Sequence, residues 1–174
     1  FGRIDCAVNN AAILGPFRPL HDYSVEDFDR VVAVNLRGVF MCMRLEITQM
    51  LEQKGGTIVN TTSGAGILGV RGLGGYGASK HGVVGLTRTA SVEYAALNIR
   101  VNTVAPGPVE TTFGRTMTSQ SPWMGEQYGE QVHAETIGKA QPAEIAEAVV
   151  WLSSDRASYV AGTVFTVDNG YSAQ

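Results

Sequence analysis

Four short runs of apolar or β-branched residues, each closing on a polar or glycine-bearing loop, alternate with segments of helical period, and this alternation limits the possible folds most. The runs are Asp5 to Asn10, Thr57 to Thr62, Arg100 to Ala105 and Thr163 to Val167. They are too short to be helices and too apolar to be loops, which is how buried parallel strands read. Between the first two, Ser24 with Asp27 three residues on is a capping-box signature, and Phe28, Val31, Leu36, Val39, Phe40, Met43, Ile47 and Leu51 follow at helical spacing until Gly55 and Gly56. A second helix is predicted from about Tyr76 to Asn98, and a third from Pro142 to Leu152 with Glu144 and Glu147 near its positive end. From Val109 to about Ala140 no period is clean, and a patternless stretch of that length in a compact domain reads as a substrate lid carrying Trp123, Tyr128 and His133. The order argues for an α/β fold, a parallel sheet covered by helices on both faces.

In such sheets ligands sit in the crevice beyond the carboxyl ends of the strands. Asn9 and Asn10, Ser63, and Pro106 to Thr111 all follow strand ends and so converge on that edge. Tyr76 and Lys80 stand four residues apart on the helix after the second strand. At that spacing side chains are neighbours on one face. A phenol titrates near pH 10 when unperturbed, too high for a base at neutral pH, and an adjacent ammonium is expected to bring it down. The pair therefore reads as a general acid and base. Asn35 interrupts the apolar stripe of the first helix; as a buried amide it is expected to bond local backbone or hold a water.

With 174 residues, 44% of them hydrophobic and 17% charged, the chain is long enough for one domain with a real core. A net charge of −3 without a basic run gives no footprint for nucleic acid or an anionic membrane. No apolar run reaches the ~18 residues of a membrane span, and no signal peptide is legible. Cys6 and Cys42 have neither paired nor metal-ligand spacing and read as buried, reduced thiols of a cytoplasmic protein. No set of residues has the spacing of a metal site.

Read together, the motifs resemble those of the short-chain dehydrogenase/reductase family, doubly wound Rossmann-type enzymes that use NAD or NADP. Asn9-Asn10-Ala11-Ala12 is similar to the family's Asn-Asn-Ala-Gly motif beneath the cofactor. Asn35, Ser63, Tyr76 and Lys80 stand where its catalytic tetrad does. Pro106-Gly107-Pro108-Val109 with Thr111 resembles the Pro-Gly segment against the nicotinamide, and Val167-Asp168-Asn169-Gly170 its closing Val-Asp-Gly-Gly. The resemblance covers essentially the whole chain. Asparagine tolerates positive φ best after glycine, so Asn169 is a permissible departure, as is the added methyl of Ala12.

The resemblance implies hydride transfer between NAD(P) and a secondary alcohol or ketone, or alternatively a 3-oxoacyl thioester. Tyr76 would be the acid/base, Ser63 a donor to the substrate oxygen, Lys80 a bond to the nicotinamide ribose, and Asn35 the holder of a relay water. Asn9, Ala11, Pro106, Gly107, Val109 and Thr111 would line the cofactor with Tyr76 and Lys80. It also implies a homo-oligomer, a dimer or tetramer packed through the long helices. The family's glycine-rich phosphate loop is expected upstream of Phe1, in about 75–90 residues of preceding strand-helix units, which makes the chain read as the C-terminal part of a domain unable to hold cofactor alone. Gly64-Ala65-Gly66-Ile67-Leu68-Gly69 fits a dinucleotide fingerprint in letters only, since it should open a helix and instead runs into more glycines. A sheet cut off in this way exposes a strand edge and a helix face, and poor solubility is expected.

Overall fold

The computed structural model describes residues 2–113 and 138–173. Those residues form one parallel sheet of strands β1 (Cys6–Asn9), β2 (Gly56–Thr61), β3 (Ile99–Pro106) and β4 (Val164–Val167), hydrogen-bonded in chain order. Helices α1 (Val25–Val32) and α2 (Gly38–Glu52) connect β1 to β2, α3 (Gly74–Tyr94) connects β2 to β3, and α4 (Pro142–Ser153) precedes β4. The expected parallel α/β architecture is present. Most of the stretch from 109 to 140, with Trp123, Tyr128 and His133, lies outside the described residues. Its described ends are pinned together: Glu110 N donates to Ala140 O at 2.9 Å, and Ala140 N to Pro108 O at 2.9 Å.

Successive strand residues face opposite sides, so each strand feeds two cores. Ile58, Ile99 and Val101 pack against Val39, Met43, Ile47 and Met50 of α2 and Val83 and Ala90 of α3. Val59 and Val104 face the other way, onto Leu152 of α4. Each such side chain contributes about 1.5–3 kcal/mol when fully buried, and Ile58, Val59, Ile99, Val101, Val104 and Leu152 are all fully buried. Helices therefore cover both faces.

The local signals work as the sequence predicts. Ser24 Oγ accepts from Asp27 N at 3.1 Å and donates to Asp27 Oδ2 at 2.8 Å, closing the first turn of α1. Gly55 N reaches back to Met50 O at 2.9 Å, the bond that ends α2. Asn169 takes φ 49°, the left-handed conformation its substitution for glycine requires.

Three expectations are corrected. The first helix is not one regular rod: a π-helical stretch, Ala33–Arg37, divides α1 from α2. Strand β1 is not fully buried: among the described residues it pairs with β2 alone, and its residues alternate between exposed and half-covered, with Val8 48% exposed. A strand at the margin of a sheet is covered by one neighbour instead of two. For the same reason Cys6, on β1, is exposed, and Cys42 is exposed because it lies on the outer side of α2. Neither is a buried thiol.

Candidate active site

Ser63 leaves β2 in an extended conformation, φ −169°, and its Oγ accepts from Ala65 N at 3.2 Å, capping a tight 3₁₀ turn at Gly64–Gly66. That turn occupies the glycines resembling a fingerprint; no helix opens there. The same Ser63 hydroxyl acts on the Tyr76 phenol, opposing the rise that burial imposes on its pKa. A strand-end serine thus serves both its own turn and a residue thirteen positions on.

Tyr76 and Lys80 lie one turn apart on α3 and are almost wholly buried, 7% and 2% exposed. Small residues bring this helix in close. A Cβ on Gly75 would lie 2.8 Å from Tyr23 Oη, and one on Gly82 2.7 Å from Leu36 Cδ2, so neither position admits a side chain without displacement. The Lys80 ammonium hydrogen-bonds Thr61 O at 2.7 Å, and Thr62 Oγ1 donates to Lys80 O at 2.9 Å. The end of β2 thus holds the lysine at both its main chain and its tip.

The electrostatics differ from the expectation. Burial pushes the Tyr76 phenol above its ordinary pKa, and the Ser63 hydrogen bond offsets this only in part. Lys80 is not what lowers it. Its Nζ lies over the face of the Tyr76 ring, 5.6 Å from the centroid, tied to the Thr61 carbonyl instead of standing at the hydroxyl. Burial also acts on the lysine itself, lowering its pKa to about 8. An ammonium out of water loses hydration that one carbonyl does not replace.

Asn35 sits at 0% exposure inside the π-helical stretch. Its Oδ1 accepts from Ile13 N and its Nδ2 donates to Ile13 O, both at 2.8 Å, and Nδ2 donates again to Ser79 Oγ at 3.1 Å. Ser79 Oγ in turn donates to Tyr76 O at 2.7 Å. The amide is thus neither bonded to its own turn nor open to a water through its N–H groups: it clamps the loop after β1 and, through Ser79, the backbone of the tyrosine. π-Turns recur at functional sites because the extra residue re-aims a side chain. The sequence gives Ser79 no role beyond an incomplete nucleophile-elbow pattern, Gly77-Ala78-Ser79-Lys80-His81, that lies within a helix; its one signal for the role seen here is a hydroxyl three residues after Tyr76.

The remaining predicted residues follow strand ends as expected. Asn9 donates through Nδ2 to Asn60 Oδ1 at 2.9 Å and to Glu46 Oε2 at 3.1 Å, and Asn60 passes the chain to Thr87 Oγ1 at 2.9 Å. Its amide hydrogens are therefore occupied in steadying the sheet. The Glu46 carboxyl is held above its usual range by burial, with the Asn9 bond opposing. Ala11 is exposed in the loop after β1. Pro106 ends β3, and a Cβ on Gly107 would lie 2.9 Å from Asp168 Cα, so the crossing of β4 requires glycine. Val109 bridges to Ala140, and Thr111 stands at the bend beyond it.

Whether these groups suit a nicotinamide dinucleotide is tested by Lys80. Among the described residues its ammonium meets a single acceptor, Thr61 O, which leaves two buried N–H donors for a ligand such as a vicinal diol. The residues fit. No group of histidine, cysteine, aspartate or glutamate among the described residues could hold a metal ion.

Comparison with known proteins identifies the family. Residues 1–172 match the family model described as enoyl-(acyl carrier protein) reductase. The chain is 42% identical over 176 residues to cyclohexanol dehydrogenase of Acinetobacter sp. strain SE19, covering all of this chain and 66% of that protein. It is 42% identical over 171 residues to a 3-oxoacyl acyl-carrier-protein reductase of Thermotoga maritima, covering 98% of this chain and 67% of the relative. Among solved structures, levodione reductase superposes with a TM-score of 0.89 at 41% identity, over 99% of this chain and 68% of that one. A candidate NAD(P)-dependent gluconate 5-dehydrogenase from Beutenbergia cavernae, with NADP bound at low occupancy, gives 0.88 at 34% identity, over 99% and 68%. The chain thus spans about two thirds of the length of the relatives it matches.

Proposed function

From the premise that the chain belongs to the short-chain dehydrogenase/reductase family, we propose that it works as an NAD(P)-dependent oxidoreductase acting on a cyclic secondary alcohol or its ketone. The observation that carries this reading is Ser63, Tyr76 and Lys80 gathered on the carboxyl edge of the sheet, with the Lys80 Nζ over the Tyr76 ring, 5.6 Å from its centroid, and Ser63 acting against the rise in the phenol's pKa. A nicotinamide held beside Tyr76 by Lys80 would supply the hydride-transfer chemistry for the alcohol carbon. Tyr76 takes the hydroxyl proton in oxidation and gives it back in reduction. A neutral phenol is the acid that ketone reduction needs, and the raised pKa of Tyr76 keeps it protonated at neutral pH. Ser63, already within reach of the phenol, steadies the substrate oxygen where charge develops. Lys80 holds the ribose through its spare N–H groups. Asn35 and Ser79 are positioning residues: they set the backbone from which Tyr76 projects.

Asn9, Ala11, Pro106, Gly107, Val109 and Thr111 are proposed to border the cofactor. The likeness to cyclohexanol dehydrogenase supports a ring alcohol; the likeness to a 3-oxoacyl acyl-carrier-protein reductase supports a second reading, a 3-oxoacyl thioester. A homo-oligomer packed through α2 is also proposed, on the exposure of Phe40, Met41 and Leu45. Two exposed, unpaired thiols favour a reducing compartment such as the cytoplasm. No described helix is long and apolar enough to cross a membrane.

The test is steady-state turnover by the complete gene product with NADH and NADPH, offering cyclohexanone and a 3-oxoacyl thioester in parallel. Faster turnover of the ketone supports the first reading, and faster turnover of the thioester replaces it with the second. Reduction of neither overturns both.

A further inference from the structure

We propose that Tyr171 is a further positioning residue of the reaction: its ring clamps the turn that carries Ser63 and so holds the Ser63 hydroxyl toward Tyr76. The inference rests on the oxidoreductase reading and extends it to the C-terminal tail.

The sheet brings the tail to the site. Strand β4 runs parallel to β3 with Val167 opposite Pro106, and Gly107 N donates to Val167 O at 3.1 Å, so the chain beyond β4 leaves on the edge where β2 also ends. Asn169 and Gly170 take positive φ, 49° and 82°, and turn it back at once. Asp168 fastens the reversal. Its Oδ1 accepts from Gly170 N at 3.1 Å, its Oδ2 from Ser172 N at 3.0 Å and from Ser172 Oγ at 2.5 Å, and its carbonyl from Tyr171 N at 3.0 Å. Bonds to an ionised carboxylate are the stronger kind. Tyr171 is thus held at its own N–H and through both neighbours.

The half-buried ring of Tyr171 rests on Gly64. A Cβ on Gly64 would lie 3.1 Å from Tyr171 Cδ1 and 3.2 Å from its Cε1, so the ring fills the space a side chain would need. Gly64 is buried and directly follows Ser63. At the other end of the turn, a Cβ on Gly66 would lie 3.0 Å from Lys80 O, so α3 presses there as closely. The turn is gripped between the helix of Tyr76 and the ring of Tyr171.

Ser63 depends on that grip. It stands two residues beyond the end of β2, and its bonds close its own turn: Oγ accepts from Ala65 N at 3.2 Å, and O from Gly66 N at 2.8 Å. A turn bonded to itself swings as a unit unless something outside holds it, and the ring supplies that restraint at the Ser63 end. A donor stabilises developing charge most when it is fixed in place beforehand.

The experiment takes the complete gene product, its variants Tyr171→Ala, Tyr171→Phe and Ser63→Ala, and the double variant Tyr171→Ala/Ser63→Ala, with whichever of cyclohexanone and a 3-oxoacyl thioester the wild type reduces. Tyr171→Ala is expected to lower kcat by about tenfold with KM little changed, inside the roughly 100-fold that a misplacement of about 1 Å can cost. Tyr171→Phe keeps the wild-type kcat, because ring carbons make the contact. With Ser63→Ala already in place, Tyr171→Ala costs less than about twofold more, since the group it positions is gone. The same loss in both backgrounds is plain destabilisation and overturns the proposal, as does wild-type kcat in Tyr171→Ala. Amide exchange at Ala65 and Gly66, whose N–H groups bond Ser63, reads the clamp without turnover, and is expected to quicken about tenfold in Tyr171→Ala but not in Tyr171→Phe. If neither compound is reduced yet exchange quickens, the oxidoreductase reading falls and the clamp stands. If reduction proceeds and exchange is unchanged, the clamp falls alone.

Discussion

The centre of the molecule, where β2 meets α3, and its margin, where β1 meets the outer side of α2, are built on opposite terms. At the centre, polar groups are buried and tied: Asn35 to Ile13 and Ser79, Lys80 to Thr61, Asn60 to Asn9 and Thr87. At the margin, apolar groups are exposed: Val8, Phe40, Met41 and Leu45, the last at 68%. A buried polar group without a partner costs about 1–3 kcal/mol, so the centre tolerates little change. An apolar side chain in water contributes little to the fold it sits on, so the margin tolerates much. The difference separates residues that hold this chain together from residues that suit a second surface.

The largest expected effect is at the centre and is chemical. Tyr76→Phe in the complete gene product removes the group that exchanges the proton, and turnover is expected to fall about 10³-fold, with the melting temperature moved by only a few degrees. A variant that kept a tenth of wild-type activity would show that another group exchanges the proton.

Asn35→Ala comes next. It strands the N–H and C=O of Ile13 and one bond of Ser79, all at a buried site, for a loss of about 3–5 kcal/mol in urea unfolding. Since Ser79 steers Tyr76, kcat is expected to fall in whatever fraction still folds. A loss below 1 kcal/mol would mean that the clamp is not what fixes the loop after β1.

Lys80 gives a prediction in pH. Its folded pKa, about 8, lies below the value near 10.4 expected in the unfolded chain. The unfolded state therefore binds more protons between those values, and stability from this group rises as pH increases through that window. The full excursion is about 3 kcal/mol, and below pH 8 it stands as a cost of burying the ammonium. Tyr76 acts with the opposite sign, but only above about pH 10, because its folded pKa is raised. Urea midpoints from pH 7.5 to 9.5 are thus expected to climb for the wild type relative to Lys80→Met. Parallel curves for the two proteins would remove Lys80 as the source.

The smallest effect is at the margin. Leu45→Gln is expected to change unfolding free energy by less than about 0.5 kcal/mol, while reducing self-association seen by light scattering. A loss of 2 kcal/mol or more would place Leu45 in the core and erase the contrast between the two regions.

Much of this was legible in residue order. The alternation of short apolar runs and helical stripes is enough to specify a parallel α/β sheet, because period and length together decide strand or helix. The spacing of Tyr76 and Lys80 placed them on one face, and the position of Ser63 at a strand end placed it on the same edge. The clamp on Ile13 was not legible, because its two halves lie 22 residues apart and meet only through a π-turn that no periodicity announces. Nor was the exposure of Cys6 and Cys42: an apolar run reads the same in a central strand as in an edge strand, and coverage depends on how many neighbours the strand acquires.

What the sequence by itself determined are short-range matters: which segments are strands, where Ser24 caps a helix, that Asn169 can take positive φ, and which residue types gather at the strand ends. These depend on neighbours within about a helical turn. What only the tertiary structure decided is the state of those residues. Tyr76 is shifted up instead of down, Lys80 is half-way to neutral near pH 8, and Arg18 stands beside the backbone of the loop bearing Arg71. Each depends on how much water is excluded and on which distant carbonyl or loop arrives to replace it, and both are properties of the packed chain alone.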